Sequence, residues 1–284
     1  MPRVVNNLAH QALVFRAAAR TDNFLWADNG IKRQETNPRN RAMKEISPIV
    51  FLVDVDDTLL DNHRVKADLK KHIERVFGPQ CRDRFWAIHE ELFNELGYYD
   101  YLGAFQRFRI EHPYDPHLVT AANFLVDYPF ANRLYPRSLD VLERFRAWGP
   151  TVIVTDGDMV FQPRKVQRSG IFETVEGHVL IYIHKEKALA DIAQRYPAEH
   201  YVLVDDKLRI LTAFKLAWGE RVTTVFPRHG EFALDPVTRA AYPPADVSVE
   251  RISDLLEYDL SDLLTGRKRA AKDLRPSATA PTLN

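Results

Sequence analysis

The chain has 284 residues, of which 45% are hydrophobic, so it can bury a sizeable core in one large domain or two smaller units. Its 39 basic and 39 acidic residues give a formal net charge of zero, so the chain as a whole has no net positive charge that would attract nucleic acid or an anionic membrane. The one cysteine, Cys81, excludes a disulfide framework within the chain, and no apolar run approaches the ~20 residues of a membrane span. We therefore expect a cytoplasmic protein.

The two ends of the chain differ in composition from its middle. Residues 1–46 are polar and rich in Asn and Arg, which predicts a poorly structured leader. Residues 266–284 carry an Arg-Lys-Arg run and end in Ser, Pro and Thr, which predicts a flexible tail. The folded part is expected between them.

Apolar runs alternate with helical patterns in the folded part. The continuous run from Ile49 to Val53 is typical of a strand buried on both faces of a parallel sheet. Further strands are predicted at 151–154, 179–183, 201–204 and 221–226. A helix capped by Ser138 and closed by Gly149 is predicted before the second strand. The alternation predicts an α/β fold with a Rossmann-like, doubly wound parallel sheet, built from residues 47–61 and 136–265.

Residues 62–135 interrupt this alternation. They hold several helical stripes and no convincing strand, and the first two stripes stop at Gly78-Pro79 and at Gly97. The interval therefore predicts an all-helical domain inserted after the first strand.

The run from Asp54 to Asp61 carries the strongest chemical signal. Asp54 and Asp56 directly follow the first strand, and ligands of open α/β sheets bind beyond the carboxyl ends of strands. A calcium loop also alternates carboxylates, but it needs glycine at its sixth position, where this run has Leu59, and a preceding helix instead of a strand.

Three other predicted strands also end in reactive side chains. Thr155 and Asp156 end one strand, His184 and Lys185 follow another, and the Asp205–Asp206 pair follows a third. Each group alone would be ordinary surface polarity. Together they predict one site at the edge of the sheet.

In these motifs the chain resembles the haloacid dehalogenase superfamily of phosphotransferases over about residues 48–230. The resemblance rests on Asp54-x-Asp56-x-Thr58, Thr155, a lysine and Asp205–Asp206, in that order. It implies that Asp54 is the nucleophile of a phosphohydrolase and forms an aspartyl-phosphate. It implies that Asp56 is the general acid and then the base, as phosphate esters require and carbon–halogen cleavage does not.

The resemblance assigns the other groups to phosphate and metal binding. Thr155 and a lysine would contact the phosphoryl oxygens. The converging carboxylates repel one another, and Mg²⁺ relieves such repulsion with oxygen ligands. The expected ligands are the Asp54 carboxylate, the Asp56 backbone carbonyl and the Asp206 carboxylate, with Asp205 acting through water; which of the two last residues binds directly stays open.

Several assignments stay open at this stage. Lys185 is favoured over Lys187 as the phosphate-binding lysine because it lies nearer the strand end. Asp156, Asn62 and Arg64 are further candidates for substrate contact. A helical cap after the first motif favours a small phosphorylated metabolite as the substrate.

Three alternatives to the phosphohydrolase remain. The first is a phosphomutase of the same superfamily, which would use the same residues. The second is a catalytically silent binding module, although such a protein would usually have lost one of these residues. The third is a nucleic-acid-binding protein, for which only the basic chain ends speak. We expect no nucleic-acid or membrane partner, and either a monomer or a homodimer.

Overall fold

The computed structural model describes residues 45–266 of the chain. The predicted tail from residue 267 and the predicted leader up to residue 44 lie outside the described residues. Six strands form the sheet: β1 (Ser47–Val53), β2 (Thr151–Asp156), β3 (Val179–Tyr182), β4 (Ala198–Val204), β5 (Val222–Pro227) and β6 (Val247–Val249).

The strands form one parallel sheet in the order β3-β2-β1-β4-β5-β6. This order places β1 and β4 side by side at the point where the winding direction reverses, which is where ligands bind in doubly wound sheets. The predicted Rossmann-like α/β fold is confirmed. Strand β6 was not predicted, because its three residues are too few to show a periodic pattern.

Helices cover the sheet and form the insertion between β1 and β2. The helices are α1 (Asn62–Phe77), α2 (Pro79–Leu96), α3 (Tyr101–Glu111), α4 (His117–Val126), α5 (Ser138–Arg146), α6 (Phe161–Arg168), α7 (Ile171–Thr174), α8 (Leu189–Arg195), α9 (Leu208–Trp218), α10 (Glu231–Leu234), α11 (Pro236–Ala240) and α12 (Leu260–Thr265). We call residues 62–126, which hold α1 to α4, the helical insertion. None of the helices in residues 45–266 has the length and hydrophobicity needed to cross a membrane.

The strand at the centre of the sheet is buried on both faces. Phe51 and Val53 of β1 pack into one hydrophobic cluster, and Val50 and Leu52 pack into a second cluster across the sheet. This alternation follows from the two-residue period of a strand. Because burial fixes the register of β1, it also fixes the position of the residue that follows it, Asp54.

Local signals explain the ends of the first two helices. Asp61 caps α1 by accepting a hydrogen bond from the backbone N–H of Arg64 at 2.8 Å. Gly97 ends α2 in the left-handed conformation, with φ +77°.

The prediction that Ser138 caps α5 is wrong. Ser138 is the first residue of α5, and its hydroxyl donates to the backbone carbonyl of Leu59 at 2.8 Å. The preceding residue, Arg137, has φ +64° and makes no capping bond with its side chain. The serine therefore ties α5 to the loop after β1, a contact across 79 residues that no local pattern reveals.

Candidate active site

Asp54 lies at the carboxyl end of β1 and is 2% exposed. Its backbone N–H donates to Val204 of the neighbouring strand at 3.0 Å. Its side chain accepts from the Thr58 hydroxyl at 3.3 Å and contacts the Lys185 ammonium at 2.5 Å. Burial alone would raise the pKa of Asp54, but the ammonium groups of Lys185 and Lys207 outweigh it and hold the pKa below its ordinary value. The carboxylate is therefore ionised and fixed in direction.

The loop after Asp54 folds back on itself. The backbone N–H groups of Leu59 and Leu60 donate to the Val55 carbonyl at 2.9 and 3.0 Å. Asp57 has φ +60°, and its side chain accepts from the backbone N–H groups of Asn62 and His63 at 3.0 and 3.2 Å. Asp57 thus joins this loop to the first turn of the helical insertion, a structural task that the motif alone does not reveal.

Thr155 is the next-to-last residue of β2 and is 1% exposed. Its Oγ1 accepts a hydrogen bond from Gln162 Nε2 of α6 at 2.9 Å. Because that bond uses the oxygen as an acceptor, the hydroxyl proton can be donated to another oxygen. The adjacent Asp156 accepts from the Lys185 backbone N–H at 2.7 Å, and burial raises the pKa of Asp156 to about 6.

The two candidate lysines occupy different environments. Lys185 is buried, and its ammonium lies 2.5 Å from Asp54, 2.6 Å from Asp205 and 3.2 Å from the Val154 carbonyl. Burial opposes the charge, but Asp205 and Asp54 outweigh it and raise the pKa of Lys185. Lys187 is exposed on the short 3₁₀ turn Lys185–Lys187. Only Lys185 of the two therefore contacts the predicted nucleophile.

The Asp205–Asp206 pair follows β4 directly beside Asp54. The backbone N–H of Asp206 donates to the Thr58 hydroxyl at 3.0 Å, so Thr58 links the two acidic motifs. One ligand oxygen from each of Asp54, Asp205 and Asp206 can be chosen so that all lie within 4.8 Å of one another. Asp54 follows β1, and Asp205 and Asp206 follow β4, so pairing of these two strands forms one carboxylate cluster at the switch point of the sheet.

The cluster fits a hard dication. Both side-chain oxygens of Asp206 are buried and have no hydrogen-bond partner among the residues that the structure describes. Burial raises the pKa of Asp206 well above its ordinary value, and Asp205 and Asp54 add repulsion. Asp205, by contrast, already contacts Lys185 and accepts from the Lys207 backbone N–H at 2.8 Å. Buried carboxylate oxygens left without donors are ligands that Mg²⁺ accepts.

Two further lysines belong to the site and escaped sequence reasoning. Lys165 of α6 is 1% exposed and contacts both oxygens of Asp56, at 2.6 and 2.8 Å. Lys207 lies 3.8 Å from Asp206, and although burial opposes its charge, the Asp206 and Asp54 carboxylates raise the pKa of Lys207. The spacing Gln162-x-x-Lys165 on one helix face after Thr155 is the signal that could have indicated Lys165.

A cavity of about 510 Å³ lies beside these groups, between the helical insertion and the sheet edge. The sheet side contributes charged residues that include Asp56, Asp156, Lys165, Lys207 and Arg209. The insertion contributes mostly aromatic residues, namely Phe93, Tyr98, Tyr99 and Tyr101, together with Asn62 and Lys66. A volume of this size suits a small molecule.

The residues predicted to contact substrate do not all reach this cavity. Asn62 lines it, is 7% exposed and accepts from Lys165 at 3.1 Å. Asp156 also lines it. Arg64 is exposed and is not among the residues that line the cavity. The structure gives the prediction for Arg64 no support.

Comparisons with known proteins agree with this architecture. A family profile described as haloacid dehalogenase-like hydrolase matches residues 50–217. A crystal structure described as a haloacid dehalogenase-like hydrolase from Burkholderia xenovorans LB400 is 59% identical with a TM-score of 0.71, covering 75% of this chain and 99% of that chain. No curated protein matches the chain.

More distant structures share the fold. A haloacid dehalogenase-like family hydrolase from Xanthomonas campestris is 16% identical with a TM-score of 0.51, covering 73% of this chain and 88% of that chain. The HAD-hydrolase YfnB from Bacillus subtilis, whose structure was determined bound to magnesium, is 14% identical with a TM-score of 0.50, covering 74% of this chain and 97% of that chain.

Proposed function

Because this chain belongs to the haloacid dehalogenase-like hydrolases, we propose that it is a Mg²⁺-dependent phosphohydrolase that cleaves a small phosphate monoester through an aspartyl-phosphate on Asp54. One observation carries the proposal. The Asp54 carboxylate is held by Lys185 at 2.5 Å within the Asp54–Asp205–Asp206 cluster, and Asp56 lines the adjacent cavity. A nucleophile, a cationic phosphate contact and an acid–base group are thus combined at one sheet edge.

In the first half of the reaction a carboxylate oxygen of Asp54 bonds to phosphorus, and the bond between phosphorus and the leaving oxygen breaks. Asp56 gives its proton to that oxygen, so the substrate departs as an alcohol. Lys185 and the Thr155 hydroxyl contact the phosphoryl oxygens, on which negative charge is spread during transfer. Burial of these side chains keeps them in place without solvent reorganisation.

In the second half, Asp56 accepts a proton from water, whose oxygen bonds to phosphorus. The bond between phosphorus and Asp54 breaks, which releases inorganic phosphate and restores the Asp54 carboxylate. Asp56 is protonated again and ready for the next ester. The two half-reactions therefore return every group to its starting state.

Magnesium would be held by the Asp54 carboxylate, the Asp56 backbone carbonyl and the Asp206 carboxylate, with Asp205 acting through water. When bound, it supplies positive charge that reduces repulsion between these carboxylates and a phosphate. The partner-less oxygens of Asp206 and the ion pair that already engages Asp205 support Asp206 as the direct ligand.

Asp56 supports a phosphate ester over a carbon–halogen substrate. An alkoxide leaves poorly unless an acid protonates it, whereas a halide leaves as a stable anion without a proton. The aromatic wall that the helical insertion adds to the cavity supports a small molecule as the substrate.

A substrate screen tests the proposal. The purified chain is incubated with Mg²⁺ and sugar phosphates, nucleotides or phospho-acids, and inorganic phosphate is measured, with 2-haloacids and halide release in parallel. We expect phosphate release from at least one ester without a bisphosphate activator. Halide release without phosphate release would contradict the proposal, and a strict need for the activator would indicate a phosphomutase.

A further inference from the structure

Lys165 is a buried lysine whose ammonium group donates its hydrogen bonds to Asp56, the predicted acid–base group, and to Asn62. It is 1% exposed, and its Nζ lies 2.6 Å from Oδ1 and 2.8 Å from Oδ2 of Asp56. The same atom donates to Asn62 Oδ1 at 3.1 Å. An ammonium has three N–H donors, and these three acceptors satisfy them. Lys165 therefore has no donor left for a phosphate, unlike Lys185 beside the nucleophile.

The helix that carries Lys165 serves two predicted catalytic groups at once. On α6, Gln162 holds the Thr155 hydroxyl at 2.9 Å, and Lys165 on the same helix face holds Asp56. Phe161, one turn before Lys165, places its ring 4.9 Å from the ammonium and packs edge-on against Tyr101 of the helical insertion. The lysine stem is thus fixed by packing as well as by its charge.

Asp56 needs such support more than Asp54 does. It lies in the loop after β1, and its side chain is 21% exposed where Asp54 is 2% exposed. Proton transfer to a leaving oxygen requires a heavy-atom distance of about 2.6–3.2 Å in the reacting complex. A carboxylate free to rotate in a cavity of about 510 Å³ would spend much of its time outside that range.

We propose that Lys165 is a positioning residue for proton transfer: its ion pair with Asp56, tied to Asn62 at the start of the helical insertion, fixes the Asp56 side chain toward the leaving group. This inference rests on the proposed phosphohydrolase function. When Asp56 carries its proton on one oxygen, the other oxygen still accepts from Lys165, so the support persists through both half-reactions. Lys165 acts through Asp56 and does not itself contact the reacting atoms.

Leaving-group dependence tests this role. An alkyl phosphate needs a proton on its leaving oxygen, whereas the nitrophenolate of para-nitrophenyl phosphate leaves without one. We expect Lys165→Met to lower kcat/KM, which reports only the transfer of phosphate to Asp54, about 10- to 100-fold for the alkyl ester, a part of the 10²–10⁴-fold that acid–base catalysis contributes, and less than about threefold for the aryl ester. The Kd of each ester should change less than about threefold, because Lys165 does not contact the substrate.

A double-mutant cycle shows whether Lys165 acts through Asp56. If it does, Lys165→Met adds less than about twofold to the loss already caused by Asp56→Asn. If the losses caused by the two single variants multiply in the double variant, the inference is overturned. A raised KM in Lys165→Met with unchanged leaving-group dependence would also overturn it, because it would indicate that Lys165 contacts the substrate. Lys215→Met, which removes the ion pair with Asp246 away from the cavity, is the matched control and should keep wild-type kinetics.

Folding and basal function are checked separately. Thermal unfolding shows whether each variant is folded, and if Lys165→Met is not, Lys165→Arg decides. The arginine retains the charge but not the geometry, and we expect a smaller loss of kcat/KM that is confined to the alkyl ester. Unchanged kinetics on both esters would overturn the inference. If the wild-type protein releases phosphate from neither these two esters nor any other, the phosphohydrolase proposal itself is refuted. That result is distinct from the outcomes above, in which the wild type is active and only the role of Lys165 is refuted.

Discussion

Asp206 is the residue whose side chain most needs a partner that the described polypeptide does not supply. Its two oxygens are buried without a hydrogen bond among residues 45–266, while Lys207 lies 3.8 Å away and neutralises it only in part. Asp54 and Asp205 each have Lys185 within 2.6 Å. A buried carboxylate without donors is unfavourable, and a dication among the three would relieve it.

The variant Asp206→Asn tests this reasoning at the level of one side chain. Millimolar Mg²⁺ should raise the Tm of the wild-type protein by about 5 °C, as expected for a ligand well above its Kd, and should hardly change that of the variant. Without metal the variant should unfold at the wild-type temperature or higher, because an uncompensated buried charge has been removed. Differential scanning fluorimetry with and without EDTA measures both effects.

The control for this prediction is Asp140→Asn, which changes an exposed aspartate of α5 that pairs with Arg137. It should keep the full Mg²⁺ shift. An equal shift in Asp206→Asn would show that the ion binds elsewhere.

Most individual residues of the site can be predicted from the sequence, because the ends of buried strands are marked by the change from apolar to polar residues. Asp54, Thr155 and the 205–206 pair each directly end an apolar run, and parallel strands bring such ends together. Lys165 could not be placed in the same way. It contacts Asp56 across 109 residues from the face of a helix, and without the fold its charge looks like an ordinary solvated side chain.

Among the elements, the loop after β1 depends on a close contact from the segment after β5. Gly230 has φ +89°, and a Cβ there would lie 2.6 Å from the Cβ of Asp57. Asp57 in turn holds the first turn of α1 through two backbone N–H groups. A side chain at position 230 therefore requires a shift of its own segment or of Asp57, which belongs to the same loop as Asp56.

We expect Gly230→Ala to lower the Tm and to reduce kcat at least about tenfold, because small displacements of catalytic groups are costly. Gly78→Ala is the matched control. Gly78 has φ +88°, but a Cβ there meets no atom within 4 Å, so the variant has the same backbone strain without the clash. Similar kinetics in the two variants would show that the contact with Asp57 is unimportant.

The helical insertion contains a buried histidine that makes its stability depend on pH. His89 of α2 is 4% exposed and stacks on Tyr99, with ring centroids 4.8 Å apart. Burial, with a smaller contribution from Lys66, lowers the pKa of His89 to about 4. The folded protein thus binds this proton less tightly than the unfolded chain, whose ordinary value is 6.5.

The stability that neutral His89 contributes is therefore complete above about pH 6.5 and is lost as the pH falls toward about 4. Urea unfolding at pH 7 and pH 4.5 should show that the wild-type protein loses on the order of 2 kcal/mol more than His89→Phe between these values. His63→Gln, which changes an exposed histidine, should behave like the wild type. Equal losses in the wild type and His89→Phe would contradict the assignment.

Sequence patterns predict the elements unevenly, for physical reasons. The glycine signals at Gly78 and Gly97 mark the ends of α1 and α2, because only glycine readily adopts the positive φ found there. Ser138 misleads, because its hydroxyl makes a tertiary hydrogen bond instead of a cap. Strand β6 is stabilised by pairing with β5 and not by any pattern of its own.

For the molecule as a whole, the sheet order β3-β2-β1-β4-β5-β6 is what makes one site from distant segments. It places the ends of β1 and β4 together at the switch point, with β2 and β3 continuing the same edge. The alternation of strands and helices predicts this topology in general form. The cavity shape depends on how the side chains of the helical insertion pack, which the alternation does not determine.

In the proposed reaction the phosphoryl group is transferred to Asp54 before water releases it. The most direct measurement is rapid acid quenching of the Mg²⁺-loaded enzyme during turnover of its best phosphate ester, followed by mass spectrometry of the peptide that contains Asp54. We expect a phosphoryl group on Asp54 in the wild-type protein. We expect no such adduct in Asp54→Asn, which should be folded but lose at least about 10³-fold in turnover. Phosphate release that continues at the wild-type rate in Asp54→Asn, with no adduct in either protein, would contradict this mechanism.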